Sequence, residues 1–392
     1  MKSCNLIESY LLKNDLSTYD LYDIWKGSIG QKVRKIYYKN RYVGIAPAGI
    51  LTLFDWYLNN RLRIGYEKQE YPITRALAGL TLLNLYKKEP KDIYLEYAKK
   101  HIDWLLENRS IGYSGVCWGL NFDWVYSAEE TYDKNTPFST HTPYPLELMV
   151  EYYRVTHDDR LLEPIRSVFL FLEKDIKIMR ESDEMLILSY GTQKDRIVTN
   201  ANAYLMYMYA LLIEFMPQKE SYIREKIDKI YNFLCSVQNA DGSWLYSPYE
   251  SDTFIDCFHS AFVLKNIYKT NKIRDLKNST DIIERGYSYI IDNFLDQKYY
   301  LFKRFSKSNK LSLVKFDLYD NAEMLNIALM LDDTQTVDRL SRSIREHFID
   351  KRGIASVIDS IGKLKNYNHF RWAVVPYLYA LSKVEKETIC VE

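Results

Sequence analysis

The sequence predicts an all-α fold, an (α/α)6 toroid built from helical hairpins, on three observations. A polar signature recurs five times, each copy at the start of an apolar helical segment. The copies are Ser139-Thr140-His141-Thr142, Asn200-Ala201-Asn202-Ala203, Phe258-His259-Ser260-Ala261, Asp320-Asn321-Ala322-Glu323 and Asn368-His369-Phe370-Arg371. Their spacings of 61, 57, 62 and 48 residues leave room for two helices each, the mark of a stacked or closed array of hairpins. Third, two kinds of helix alternate. Residues 203–213 are apolar around the whole circumference, as in a helix buried on every side. Leu161, Ile165, Val168, Phe169 and Leu172, like Ile223, Ile227, Ile230, Tyr231 and Leu234, instead mark one apolar stripe on an outer helix.

Residues 1–70 lack the repeat and read as an irregular N-terminal part of one domain spanning 1–392. A helix near 47–60 is expected to close the ring as its sixth outer member. Hairpins follow at 74–107, where Tyr94, Ala98, Ile102 and Leu105 give the outer stripe, then at 140–176, 200–237, 257–294 and 319–349. A last inner helix is expected over 369–383. Long loops rich in glycine and aromatics run through 112–124 and 238–246, and loops of that length in a compact domain usually carry function. No Pro- or Ser-rich linker divides the chain.

The 47% hydrophobic and 27% charged content is that of a folded globular protein, and one closed ring can hold all 392 residues. A net charge of +1 supplies no global field for nucleic acid or acidic surfaces. Tyrosine is plentiful at 35 residues, which fits either compositional bias or aromatic platforms along a groove. The five cysteines are scattered without a CxxC pair, so neither a disulfide framework nor a zinc ribbon is expected. Cys117, Cys257 and His259 lack the motif of a zinc site, and no metal or cofactor is expected. The apolar run 203–213 is about half of a bilayer span, and no signal-peptide core is present, so a cytoplasmic protein without a transmembrane segment is expected.

One stretch reads Leu105-Leu-Glu-Asn-Arg-Ser110, then Gly112-Tyr-Ser-Gly-Val-Cys-Trp-Gly119 and Asn121-Phe-Asp-Trp124. Further on come Asn200-Ala-Asn202, Gln238-Asn-Ala-Asp-Gly-Ser-Trp244, Ile255-Asp-Cys-Phe-His-Ser260 and Phe370-Arg-Trp372. In these motifs residues 90–380 resemble a family of bacterial and archaeal α/α-toroid proteins encoded with exopolysaccharide and capsule biosynthesis genes. The segment Tyr19-Asp-Leu-Tyr-Asp-Ile-Trp25 departs from the family's opening. The resemblance implies a six-hairpin glycosidase-like fold and a polysaccharide setting, with an oligosaccharide or lipid-linked glycan as partner. It supplies no catalytic assignment.

Asp256 and His259, three apart at a helix start, share a face, and a helix N-terminus favours the carboxylate and the neutral imidazole. His259 is thus a candidate base oriented by Asp256. Read alone, the pair is equally a capped helix with a satisfied histidine. His141, Asn202, Asn321 and His369 occupy matching positions, with Asn200 beside Asn202. Each Asn suits a sugar hydroxyl or a uronate carboxylate as well as a cap. Arg371 suits a carboxylate or phosphate gripped by two parallel bonds, or equally a salt bridge with a loop acid. Trp118, Trp124 and Trp244 are candidate sugar platforms, or loop packing. Asp123 and Asp241 are candidate acids for glycosidic work, with a turn role the better reading of Asp241 in its Asp-Gly pair.

Together these residues suit a carbohydrate-active protein that removes a proton next to a uronate carboxylate. His259 is the base and Tyr246 or His141 the opposing acid, with Asn202 and Arg371 neutralising the carboxylate. The outcome is epimerisation or β-elimination. A glycoside hydrolase using Asp256 or Asp123 is the alternative, and a non-catalytic glycan-binding or assembly protein is the third.

Overall fold

The computed structural model describes residues 3–193, 196–251, 253–307 and 312–384. Its helices in chain order are α1 (Ser3–Leu11), α2 (Asp23–Lys26), α3 (Ser28–Lys39), α4 (Arg41–Leu53), α5 (Asn60–Leu62), α6 (Pro72–Lys88), α7 (Asp92–Glu107) and α8 (Pro143–Thr156). There follow α9 (Leu162–Lys174), α10 (Thr199–Leu212), α11 (Glu220–Ser236), α12 (Cys257–Ile273), α13 (Ser279–Phe294), α14 (Leu318–Met330), α15 (Thr334–Phe348) and α16 (Val375–Lys383).

Six of them form the inner ring. Helix α6 packs on α8, α8 on α10, α10 on α12, α12 on α14, α14 on α16, and α16 returns to α6. Every residue of α10 is buried, as its lack of a polar face requires. Gly79 of α6 lets α8 approach, since a Cβ there would lie 2.6 Å from the Leu148 side chain. The ring interior is not wholly apolar. Lys265 Nζ meets Glu323 Oε2 at 2.7 Å, Lys269 meets Glu147, and the Tyr144 and Tyr204 hydroxyls are hydrogen-bonded.

Outside lie α7, α9, α11, α13 and α15, each with one buried stripe. The sixth outer place is taken by α1, which packs on α16 and α6. This corrects the expectation for 47–60. Those residues fall in α4, the π-helical turn Phe54–Asn59 and the start of α5, and α4 pairs with α3 on the surface. The apolar pattern of 42–54 reads as a buried helix, yet much of it is exposed. A four-stranded antiparallel sheet of 314–317, 349–350, 353–359 and 364–367 fills the last inter-helix connection.

The two glycine-rich loops are tied down by the same device. Trp118 Nε1 donates to the Leu105 carbonyl at 2.7 Å, and Trp244 Nε1 to the Leu234 carbonyl at 3.0 Å. Gly242, at φ +90°, passes so close to the Arg285 carbonyl that no side chain fits. Asp241 accepts from the backbone and hydroxyl of Ser243, the turn role its sequence suggests. Four cysteines, Cys4, Cys117, Cys235 and Cys257, are free; Cys390 lies outside the described residues. No described helix is long and apolar enough to cross a membrane.

Candidate active site

The first turns of the inner helices line one cleft of about 310 Å³ at a single end of the ring. Helix N-termini carry partial positive charge, so the cleft favours electron-rich groups. Ile73 comes from α6, Tyr144 from α8, Asn200 and Tyr204 from α10, Phe258, His259 and Phe262 from α12, and Tyr319 from α14. Arg371 and Trp372 come from the π-helical turn before α16. Loops add Tyr22, Phe122, Trp124, His141, Tyr190 and Tyr246.

Asp256 is the N-cap of α12, and its Oδ1 accepts the His259 backbone N–H at 3.3 Å. The same carboxylate lies 2.8 Å from His259 Nδ1 through both oxygens. Capping and orientation therefore coexist in one side chain. With Nδ1–H donated to Asp256, Nε2 is the basic atom of the ring. Asp256 itself is 3% exposed and stands behind His259, outside the cleft wall. Tyr246 lies against His259 with ring centroids 4.5 Å apart, and Phe254 stacks on Tyr246 at 4.7 Å. Burial, with Tyr190 beside it, pushes the Tyr246 phenol well up, so it stays protonated.

His141 reaches the cleft from the loop before α8. Burial, helped by the Arg371 charge, lowers its pKa to about 3, so it is neutral. Arg371 donates through Nε to Asp20, while its terminal nitrogens make no hydrogen bond among the described residues. Burial opposes the Arg371 charge, but Asp20 more than restores it. Burial likewise raises Asp20, and Arg371 and Lys26 outweigh it, holding the carboxyl below the usual range. Asn200 Oδ1 is buried and has no partner among the described residues, an acceptor open to a ligand hydroxyl.

Aromatic rings make most of the remaining wall. Trp372 stacks on Tyr319 at 5.0 Å with 20° between planes, and Tyr22 meets Trp372 and Trp124 edge-on at 5.2 and 5.7 Å. Flat faces of this kind suit the C–H faces of sugar rings.

Several residues expected at the site lie elsewhere. Asn202 and Asn321 perform one structural task in two repeats. The Oδ1 of Asn202 accepts from Leu188 N at 2.9 Å, and its Nδ2 donates to the Leu188 and Val198 carbonyls. Asn321 does the same with Phe302 N, Phe302 O and Asp317 O. Their amides are consumed by backbone, so neither can neutralise a substrate carboxylate. His369 is buried, bonds Arg63 at 3.0 Å, and faces a second cleft with Tyr19 and Tyr367. Trp118 and Trp244 are core residues, 0% and 3% exposed. Asp123 accepts from Lys134 N at 2.8 Å in an exposed turn.

Sequence reasoning missed Asp20, Tyr22, Phe122, Tyr190, Phe258, Tyr319 and Trp372. Asp20 and Tyr22 belong to the irregular N-terminal part, where no repeat pointed to them. Tyr144, Tyr204 and Tyr319 did carry a signal, standing two or three positions after His141, Asn202 and Phe316-Asp317 at helix starts.

No protein-family model matches this sequence, and no curated protein matches it. Solved structures do. Cellobiose 2-epimerase from Bacillus thermoamylovorans is similar with a TM-score of 0.63 at 14% identity, over 80% of this chain and 86% of its own. A polysaccharide lyase is similar at 0.54 and 12%, over 91% and 97%. An inactive variant of an α-1,6-mannanase of Salegentibacter in complex with α-1,6-mannotriose is similar at 0.54 and 10%, over 82% and 90%. At these identities the likeness is one of fold, the (α/α)6 toroid. These neighbours are carbohydrate-active enzymes of three reaction types, so the site must decide the chemistry.

Proposed function

We propose that the cleft is the active site of a carbohydrate epimerase that removes and returns a proton next to a carboxylate of an acidic sugar. The observation that carries this is the composition of the cleft wall. Among the described residues it holds two histidines, six tyrosines, of which Tyr246 lies against His259, and an arginine whose terminal nitrogens make no hydrogen bond, and no Asp or Glu. Hydrolysis of a glycosidic bond by the usual route needs two carboxylates flanking it. Asp256 is turned to His259 and Asp123 is in an outside turn, so the hydrolase reading lacks its pair.

His259 Nε2 takes the proton, and Asp256 steadies the imidazolium that results. The Arg371 terminal nitrogens meet the charge that develops on the carboxylate oxygens. Tyr246 shares a wall with His259, so return of a proton to the opposite face falls to His141. Burial, helped by the charge of Arg371, holds His141 neutral. An anionic sugar offsets that charge and raises His141 toward protonation, which is why an acidic substrate suits this cleft better than a neutral one. Asn200 Oδ1 takes a sugar hydroxyl.

The placement of Tyr246 beside His259 favours one second reading, a lyase, in which Tyr246 protonates the leaving oxygen on the face from which His259 removed the proton. The cell-surface polysaccharide setting, the lipid-linked form of the glycan and the cytoplasmic location are parts of the same proposal and rest on the sequence motifs.

The test is incubation with oligouronates in deuterated water. Deuterium entering a C–H bond without new ultraviolet absorbance marks epimerisation; absorbance from a new double bond marks the lyase. Absence of both with wild type, or either one surviving in His259→Ala, would falsify the acid–base assignment.

A further inference from the structure

The hairpin of α3 and α4, continued by the π-helical turn Phe54–Asn59 and α5, lies outside the ring, is tied to the sheet by Lys365 Nζ donating to the Trp56 carbonyl at 2.9 Å, and uses none of its residues in the acid–base chemistry. Of the twenty large apolar residues that are exposed among the described residues, thirteen fall between Ile29 and Ile64. Tyr42 is 93% exposed, Ile50 67% and Leu58 63%. Two helices alone cannot cover each other. Gly44 allows a close crossing, since a Cβ there would lie 2.2 Å from the Tyr37 Cα, and the outward faces remain bare. From Tyr42 through Phe54 no charged residue interrupts α4 and the start of the turn. Soluble surfaces rarely leave such a patch uncovered.

Charge selects the occupant. Residues 28–64 contain seven Lys and Arg against one acid, in a chain whose net charge is only +1. The one acid, Asp55, is turned inward onto the Tyr66 hydroxyl at 2.5 Å. Lys32, Lys35 and Lys39 follow one stripe of α3 beside the apolar stripe of Ile29, Val33 and Ile36, and Lys39 and Arg41 flank the tip at Asn40. A second copy of this hairpin would bring like charges together. An anionic bilayer surface would meet both the bases and the apolar face. Thirteen uncharged residues are too few to span a bilayer and suit insertion at its interface. The middle of α3 adjoins the cleft, because Arg34 lies over the Trp124 ring at 3.8 Å and Trp124 lines the cleft wall.

We infer that the α3–α4 hairpin docks the protein on the surface of an anionic phospholipid membrane, with α4 seated in the headgroup layer and the lysines of α3 on lipid phosphates. This stands on the hairpin's own composition and does not depend on the chemistry of the cleft.

The experiment is co-sedimentation of the full chain with vesicles of phosphatidylcholine alone or mixed with phosphatidylglycerol, at low and high salt. Wild type is expected on the mixed vesicles at least about tenfold more than on phosphatidylcholine, with binding falling as salt rises. An Ile45→Ser, Ile50→Ser, Leu53→Ser variant, altered only at exposed positions, is expected to lose binding while its melting curve is unchanged. A Lys32→Glu, Lys35→Glu, Lys39→Glu variant is expected to lose the preference for phosphatidylglycerol. Wild type that stays in the supernatant with mixed vesicles overturns the inference. So does a wild-type dimer by light scattering that the serine variant converts to monomer, since the face is then a contact between copies.

Discussion

Asp256 grips His259 twice, through the backbone N–H at 3.3 Å and through Nδ1 at 2.8 Å. One bond starts the helix and the other fixes the imidazole, so the two effects separate by substitution. Asp256→Asn keeps a good N-cap but presents an amide to Nδ1. Turnover is expected to drop about 10²–10⁴-fold while stability moves by less than ~0.5 kcal/mol. Asp256→Ala should lose the same turnover and a further ~1 kcal/mol. Steady-state kinetics beside urea denaturation reads both, and an Asn variant with wild-type turnover removes His259 from the chemistry.

Asn202 and Asn321 are structural ties and should behave so. Replacing either by Ala leaves a buried N–H and two carbonyls short of partners, a loss of about 1–3 kcal/mol. The Michaelis constant of the folded fraction should not change. A Michaelis constant that rises with stability intact would return these residues to the ligand.

The tryptophans divide in the same way. Trp244→Ala empties a core position and is expected to cost about 3–5 kcal/mol without altering affinity. Trp124→Ala removes a ring from the cleft wall and is expected to weaken glycan binding about tenfold with little change in melting. Calorimetric titration and thermal melts of the two variants check the contrast, and equal affinity losses would contradict it.

Three histidines make the fold sensitive to acid. Burial, aided by Arg75, Arg371 and Arg63 respectively, lowers His101, His141 and His369 to about 3 from an ordinary 6.5. Between those values the unfolded chain binds protons that the native chain refuses. Stability therefore rises with pH across the window from 3 to 6.5 and falls as pH drops through it, by about 1.4 kcal/mol per pH unit for each proton. Urea midpoints at pH 7.5 and 5.5 should show this, and His369→Gln should shrink the difference. Equal midpoints for wild type would mean that these histidines are protonated in the native state.

The hairpins were legible because the two periodicities differ: α10 is apolar all round, while α9 and α11 carry single stripes. The sixth outer helix was not, because α1 has nine residues and no repeat partner, whereas 47–60 offers a longer apolar pattern. That pattern states only that water is avoided, not what does the covering. At the site, Asp256, His259, His141 and Arg371 could be found because polar side chains recur at helix starts. Asn202, Asn321 and His369 fit the same rule and lie outside the cleft, since an amide tying a loop and an amide meeting a ligand look alike in sequence. Part of the aromatic wall was hidden by abundance, as 35 tyrosines give no reason to prefer Tyr22 or Tyr190.

The ion pair of Asp20 with Arg371 joins positions 351 apart in the chain. While the polypeptide is still emerging from the ribosome, five hairpins can fold in turn on local contacts, but Asp20 waits without its counter-ion and the wall containing Arg371 and Trp372 does not yet exist. The cleft is then completed last, in one step, when the segments carrying Asp20 and Arg371 meet. A nascent chain would be largely folded and yet lack this wall of the cleft.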